Sequence, residues 1–164
     1  MGKTILLNLS DVKLEGDILD IGESYGVIYS LSKEGLDELS IDIIDGENKI
    51  EQDIEKYDTC TMFFSLSSIW RENTRANLIK DISKYVKKGG NIYIWDIKKE
   101  TGTVCSNQVM ALLPSGNVKE FTFKNLNPIV KSNIDDTLEI FSKEYSIVEQ
   151  KCWEDIFFIK AKKN

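Results

Sequence analysis

The sequence predicts an α/β fold, with a mostly parallel sheet closed by an antiparallel C-terminal strand pair. Three observations lead there. Apolar runs of strand length alternate with amphipathic stretches of helical period. A glycine-bearing turn, Gly22 to Gly26, passes directly from the first of these runs into a helix-like stretch. The last two apolar runs are separated only by Glu154-Asp155, far short of the crossover of about a dozen residues that a parallel pair needs. With 164 residues, the chain is expected to form a single domain over residues 1–164.

The elements follow in order. Asp17–Ile21 (DILDI) comes after a glycine and stops at Gly22, as a buried strand entering a turn does. Val27, Ile28 and Leu31 have the spacing of a short helix over Val27–Lys33, which Gly35 is placed to end. Leu39–Ile44 is strand-like, and Thr59–Phe64 reads as a central strand. The clearest helix runs from Thr74 to Lys88, with Leu78, Ile79, Ile82 and Val86 on one face. Asn73 or Thr74 caps its start, and Lys87-Lys88-Gly89-Gly90 supplies cations and then a glycine at its end. Asn91–Asp96 follows as a strand. Residues 107–124 read as an inserted hairpin. Val109, Ala111 and Leu113 alternate up to Pro114-Ser115-Gly116-Asn117, and Phe121 and Phe123 alternate back. Ile134, Leu138, Phe141 and Tyr145 mark the last helix, before strands Ile147–Trp153 and Ile156–Ala161.

Composition excludes several functions. The chain has no histidine, which removes imidazole acid–base catalysis, histidine-containing triads and the commonest zinc sites. No metal site is expected. A net charge of −6 and only two arginines, Arg71 and Arg75, argue against nucleic acid, because phosphate backbones recruit clustered cations. No run approaches the ~18 apolar residues of a membrane helix, and the N-terminal run is too short for a secretory segment. Cys60, Cys105 and Cys152 form no CxxC pair and are odd in number. They read as small buried hydrophobes in a reducing compartment. The expected location is the cytoplasm.

Chemistry concentrates in Leu19-Asp20-Ile21-Gly22-Glu23-Ser24-Tyr25-Gly26. Glycine at the end of a strand lets the backbone approach a ligand closely, and the unpaired N–H groups of a helix start face it. Asp42 lies about 20 residues beyond the turn, where a carboxylate accepts hydrogen bonds from a ribose diol. Tyr25 and Trp70 are placed to line a pocket above the sheet, or else to pack as cover. The same glycines also suit the plain strand–helix turn that any α/β domain needs.

Together these residues resemble the class I S-adenosylmethionine-dependent methyltransferases, over about residues 17–100 and 134–162. The resemblance implies a three-layer Rossmann-like fold, S-adenosylmethionine as cofactor and a methyl acceptor. In that family an LDIG-x-G-x-G turn cradles the methionine half of the cofactor. Here the turn brings Asp20, Gly22, Glu23, Ser24 and Gly26. Asp42 would hold the ribose, Asp53 would contact adenine, and Ser65 would belong to the floor loop after the family's fourth strand. Tyr85–Ile94 looks like the family's helix end and fifth strand, with Lys88 in place of proline. The Asn/Asp-Pro-Pro-aromatic motif of amino-group methyltransferases is absent, so methylation of a base or a glutamine is disfavoured and a small-molecule acceptor is the default. No residue is assigned as a general base.

Three features depart from the family. Ser24 replaces the middle glycine, at about 1–2 kcal/mol if that position needs a positive φ. The Asp42–Asp53 segment is too short for the usual helix and third strand, so it is a hairpin around Asp45-Gly46 or a plain loop. The N-terminal helices that often cover the family's substrate pocket are missing. These departures support a rival reading: a non-catalytic binding or interaction module that has kept the fold and lost the cofactor. A nicotinamide enzyme is disfavoured, because Gly22 and Gly26 lack the G-x-G-x-x-G spacing.

Overall fold

The computed structural model describes residues 2–32, the backbone of 36–39, and residues 54–141 and 144–164. In chain order the elements are β1 (Thr4–Asn8), β2 (Ile18–Ile21), α1 (Val27–Leu31), β3 (Leu36–Leu39) and β4 (Tyr57–Phe63). A 3-10 turn at Leu66–Ser68 leads into α2 (Glu72–Ser83) and β5 (Val86–Ile97). Then come β6 (Cys105–Leu112), β7 (Val118–Asn125), α3 (Ile134–Ile140), β8 (Tyr145–Trp153) and β9 (Ile156–Lys163).

The strands form two mixed sheets, ordered β3-β2-β4-β5-β9-β8 and β1-β6-β7. β3, β2, β4 and β5 run parallel, and β9 and β8 are antiparallel to their neighbours. The C-terminal pair is therefore antiparallel, as the two-residue connection requires. The six-stranded sheet has three parallel and two antiparallel ladders and the other sheet one of each, so the expectation of a mostly parallel sheet is met only in part. The parallel ladders hold four to six registered pairs, and the antiparallel ones seven or eight. Two long hairpins, β6–β7 and β8–β9, account for the difference.

Side-chain alternation divides the apolar residues between two cores. On one face of the six-stranded sheet, Leu78, Ile79 and Ile82 of α2 and Leu138 of α3 cluster with Ile92, Ile94, Phe157 and Ile159. On the other, Ile5, Leu7, Val109, Phe121 and the α1 residues Val27 and Ile28 cluster with Phe63, Trp95 and Phe158. Burying one such side chain is worth roughly 1.5–3 kcal/mol. β1 is the element the sequence reading left unassigned. Its signal is alternation, with Ile5, Leu7 and Leu9 buried and Thr4, Leu6 and Asn8 exposed.

Several boundaries differ from expectation for local reasons. α2 starts after Arg71, with no side-chain cap from Asn73 or Thr74, and its C-cap is Lys84. Val86 then pairs with Tyr57 in β5. The Lys87-Lys88-Gly89-Gly90 run is thus a strand bulge rather than a helix end, lying where the β4–β5 register shifts. A Cβ at Gly90 would lie 2.8 Å from Val86 Cγ1 and 2.9 Å from the Asp58 carbonyl oxygen. Tyr145 belongs to β8 rather than to α3, which Asn133 caps by accepting the Asp136 N–H at 2.8 Å. β3 begins three residues earlier than Leu39, while Gly35 and residues 40–44 lie outside the described residues.

Asp58 fastens the lower end of the parallel strands. Its Oδ2 accepts the Asp17 N–H at 2.9 Å, and its Oδ1 pairs with Lys87 Nζ at 3.1 Å. The Asp17 N–H, helped by Lys87, holds the carboxyl below its ordinary value of 3.8. A carboxylate lowered in this way stabilises the fold above its ordinary pKa and loses that contribution as pH falls through the depressed one. Asp58→Asn is expected to lower the unfolding free energy measured in urea at pH 7, by no more than ~1 kcal/mol for so exposed a pair. The wild type and the variant should converge as the pH drops below about 4. A constant gap across that range would contradict this role.

Candidate functional site

β2 and β4 are registered Asp20 to Thr61 and Ile21 to Met62, so the two strands end at the same level. There both chains turn sharply, at Gly22 (φ 86°) and at Phe64 (φ 58°). β3 lies on one side of β2 and β4 on the other. The carboxyl ends of β2 and β4 therefore bound a topological switch point, the place where open α/β sheets bind ligands.

The turn is held from below by Asp20. This buried carboxylate accepts Ser24 Oγ–H at 2.5 Å and Thr61 Oγ1–H at 2.8 Å. Ser24 does not carry the positive φ considered for it. In this turn the left-handed positions are Gly22, Tyr25 (φ 54°) and Gly26. The serine therefore costs no backbone strain and returns a hydrogen bond to the strand it follows. Ser65 Oγ donates to the Ile21 carbonyl at 2.6 Å, tying the two strand ends together. Gly22 is bare because Ser65 sits against it: a Cβ there would fall 2.6 Å from Ser65 Oγ. Among the described residues, the backbone N–H groups of Glu23, Ser24, Tyr25 and Gly26 have no acceptor.

The remaining predicted residues are dispersed. Glu23 is exposed. The Tyr25 ring stacks on Phe121 of β7 at 4.4 Å, leaving the residue 37% exposed. Burial, then Glu23 and Asp96, raise its phenol pKa, so Tyr25 stays protonated at neutral pH. Gly26 lies under Lys119, whose Nζ would be 3.1 Å from an added Cβ. Trp70 is 49% exposed and carries the Arg71 guanidinium on its ring at 4.5 Å. Asp42 and Asp53 lie outside the described residues. The cysteines differ from one another. Cys60 is buried, and burial raises its thiol pKa, but Cys105 is only partly buried and Cys152 is exposed.

Sequence reading missed three contributors. Thr61 holds Asp20, and its alternation with Thr59 in an apolar run was the available signal. Asp96, at the end of β5, is fully buried and accepts the Ser67 and Ile97 N–H groups at 2.8 and 2.7 Å. Burial raises its pKa despite these bonds. Arg75, buried on α2, donates to the Ile69 and Lys131 carbonyls at 2.7 and 2.8 Å. Burial lowers its pKa. Together they brace the turn that follows β4.

No protein-family model matches the chain, and no curated protein matches its sequence. Solved structures do. A methyltransferase dependent on S-adenosylmethionine from Methanosarcina mazei superposes with a TM-score of 0.56 at 17% identity, covering 92% of this chain and 94% of that one. One from Clostridium acetobutylicum gives 0.57 at 13% identity, over 90% and 84%. CalS10, an amino pentose methyltransferase from Micromonospora echinaspora with S-adenosylmethionine bound, gives 0.53 at 12% identity, over 94% and 84%. The chain has the fold of the class I S-adenosylmethionine-dependent methyltransferases.

The packing of Gly22 against Ser65 makes a direct stability prediction. Gly22→Ala combines a left-handed backbone, at about 1–2 kcal/mol, with the clash against Ser65 Oγ. It should destabilise the protein by at least ~2 kcal/mol in urea unfolding. In the Ser65→Ala background the same substitution should cost less. Equal losses in the two backgrounds would show that the contact is not the constraint.

Proposed function

We propose that the chain binds S-adenosylmethionine in the crevice at the carboxyl ends of β2 and β4 and transfers its methyl group to a small molecule. The observation that supports this most is the switch-point turn itself: four successive N–H groups with no acceptor among the described residues, beside a glycine that carries no side chain. Such donors suit the carboxylate at the methionine end of the cofactor. In this reading Glu23, Ser24, Tyr25 and Gly26 offer their backbone N–H groups beside Gly22, Ser65 borders them, Asp42 takes the ribose hydroxyls and Asp53 the adenine. Asp20 and Ser24 act mainly through each other, by fixing the turn.

When bound, S-adenosylmethionine supplies a methyl group already activated by a sulfonium. The chain has only to align a nucleophile with it and keep water away, and alignment alone supplies up to roughly 7–11 kcal/mol of such a barrier. Tyr25 and Phe121 would wall the acceptor side, and the insertion over residues 107–124 would shape it. Tyr25 is no base at neutral pH, since its phenol is held protonated. A net charge of −6 disfavours nucleic acid as the acceptor. Among the described residues no helix is long and apolar enough to cross a membrane, and a cytoplasmic single domain over residues 1–164 fits this reading.

One observation favours the rival, a module that has lost the cofactor. Lys119 and Phe121 of β7 reach the turn from the second sheet and pack on Gly26 and Tyr25. A thermal titration with S-adenosylhomocysteine separates the two readings. At a hundred times the dissociation constant the ligand adds about 2.7 kcal/mol, expected to raise the midpoint by roughly 5–10 °C. Asp42→Ala should remove the shift while leaving the unliganded midpoint nearly unchanged. No shift at millimolar ligand would favour the module.

A further inference from the structure

The face of the six-stranded sheet opposite α2 and α3 carries a second feature, away from the turn after β2. A groove of about 410 Å³ runs along β5, β9 and β8 beneath the segment that follows β1. Tyr93, Trp95, Phe158 and Trp153 line it from the sheet side. Register explains the arrangement: Tyr93 pairs with Lys160 and Trp95 with Phe158, so all four residues share one face of adjacent strands. The Trp95 ring stacks on Phe158 at 5.0 Å and on Tyr93 at 5.8 Å.

Two hydrogen-bond donors here lack an acceptor among the described residues. Trp95 is fully buried, and its indole N–H has no partner among the described residues. Buried donors are almost always satisfied, so an orphan in the wall of a groove asks for an acceptor from outside the chain. The second donor is Lys160, which lines the groove with its ammonium 5.3 Å from the centre of the Tyr93 ring. No carboxylate pairs with Lys160 among the described residues. The nearby acids are otherwise engaged or solvated. Glu149 pairs with Lys151 at 2.9 Å, Glu15 lies 4.0 Å from Lys13, and Asp11 is exposed.

We infer that this groove binds a small aromatic carboxylate, whose ring lies against the Tyr93–Trp95–Trp153 wall and whose carboxylate takes the Lys160 ammonium and the Trp95 N–H. The N–H is buried in the unliganded structure, so its bond to the carboxylate is the part of this site that forms only on binding. This site is separate from the crevice at the ends of β2 and β4, and its occupation does not depend on a methyl-donor cofactor.

The test is a titration of the intact protein, following the indole N–H resonances by NMR. Trp70→Phe and Trp153→Phe identify the Trp95 signal by elimination. Indole-3-carboxylate is the probe and indole-3-carboxamide its neutral control. The expected result is a saturable shift of the Trp95 signal with the carboxylate. Binding should weaken by about tenfold or more for the carboxamide, the worth of one charge-assisted contact, and by a similar factor in Lys160→Met. A Trp95 signal unmoved at millimolar carboxylate, or equal affinities for the acid and the amide, would overturn the inference. The acid–amide comparison needs no variant, so it decides the matter even if Lys160→Met fails to fold.

Discussion

A carboxylate with almost no access to water sits at the end of β2, and much of the candidate site is arranged around it. Leaving Asp20 there without partners would cost several kcal/mol. Two hydroxyls prevent that, Thr61 from the neighbouring strand and Ser24 from the turn that follows. The Thr61 bond joins β2 to β4 where their registered ends coincide. The Ser24 bond folds the turn back over the strand, leaving its backbone donors without acceptors among the described residues. Ser65 completes the arrangement by bonding the Ile21 carbonyl from the far side of the crevice. One buried side chain thus ties together the strand ends, the turn and the crevice between them.

The second sheet changes how such a crevice is bounded. β1 pairs parallel with β6, and β7 brings Phe121 and Lys119 to the glycine turn. Phe63, Phe64, Phe121 and Phe123 form a continuous aromatic layer between the two sheets. The second sheet, built from β1 near the start of the chain and from the β6–β7 hairpin, therefore packs against the turn that follows β2. Asn125 extends the link by donating to the Ser67 carbonyl at 3.1 Å, coupling β7 to the turn that holds Asp96.

The parts of this structure that were readable in advance are those where local pattern and tertiary packing agree. Ile18–Ile21 of the DILDI run is a fully buried strand because both its faces are covered, and such strands appear in sequence as largely apolar runs. The closing strand pair was readable because its connection is too short for any other arrangement. Elsewhere a local signal competed with a stronger constraint. Lys-Lys-Gly-Gly has the chemistry of a helix end, yet Val86 is claimed by Tyr57 and the glycines absorb the register shift. Tyr145 continues the period of α3, but its hydroxyl shares a hydrogen bond with Ser83 and its backbone starts β8. Burial pushes that phenol's pKa up to about 12. Within the site, the turn was legible from its glycines. Ser24 was read as a defect because its partner, Asp20, lies four residues back and across a bend, a contact that no periodicity reveals.

Hydrogen–deuterium exchange of the intact protein, with and without S-adenosylhomocysteine, tests most directly whether this turn is a ligand cradle. If the donors of Glu23 to Gly26 receive the cofactor, their amides should slow markedly on binding, together with those around Ser65, while β8 and β9 stay unchanged. Unaltered exchange at the turn under saturating ligand, or protection confined to another part of the chain, would contradict the account.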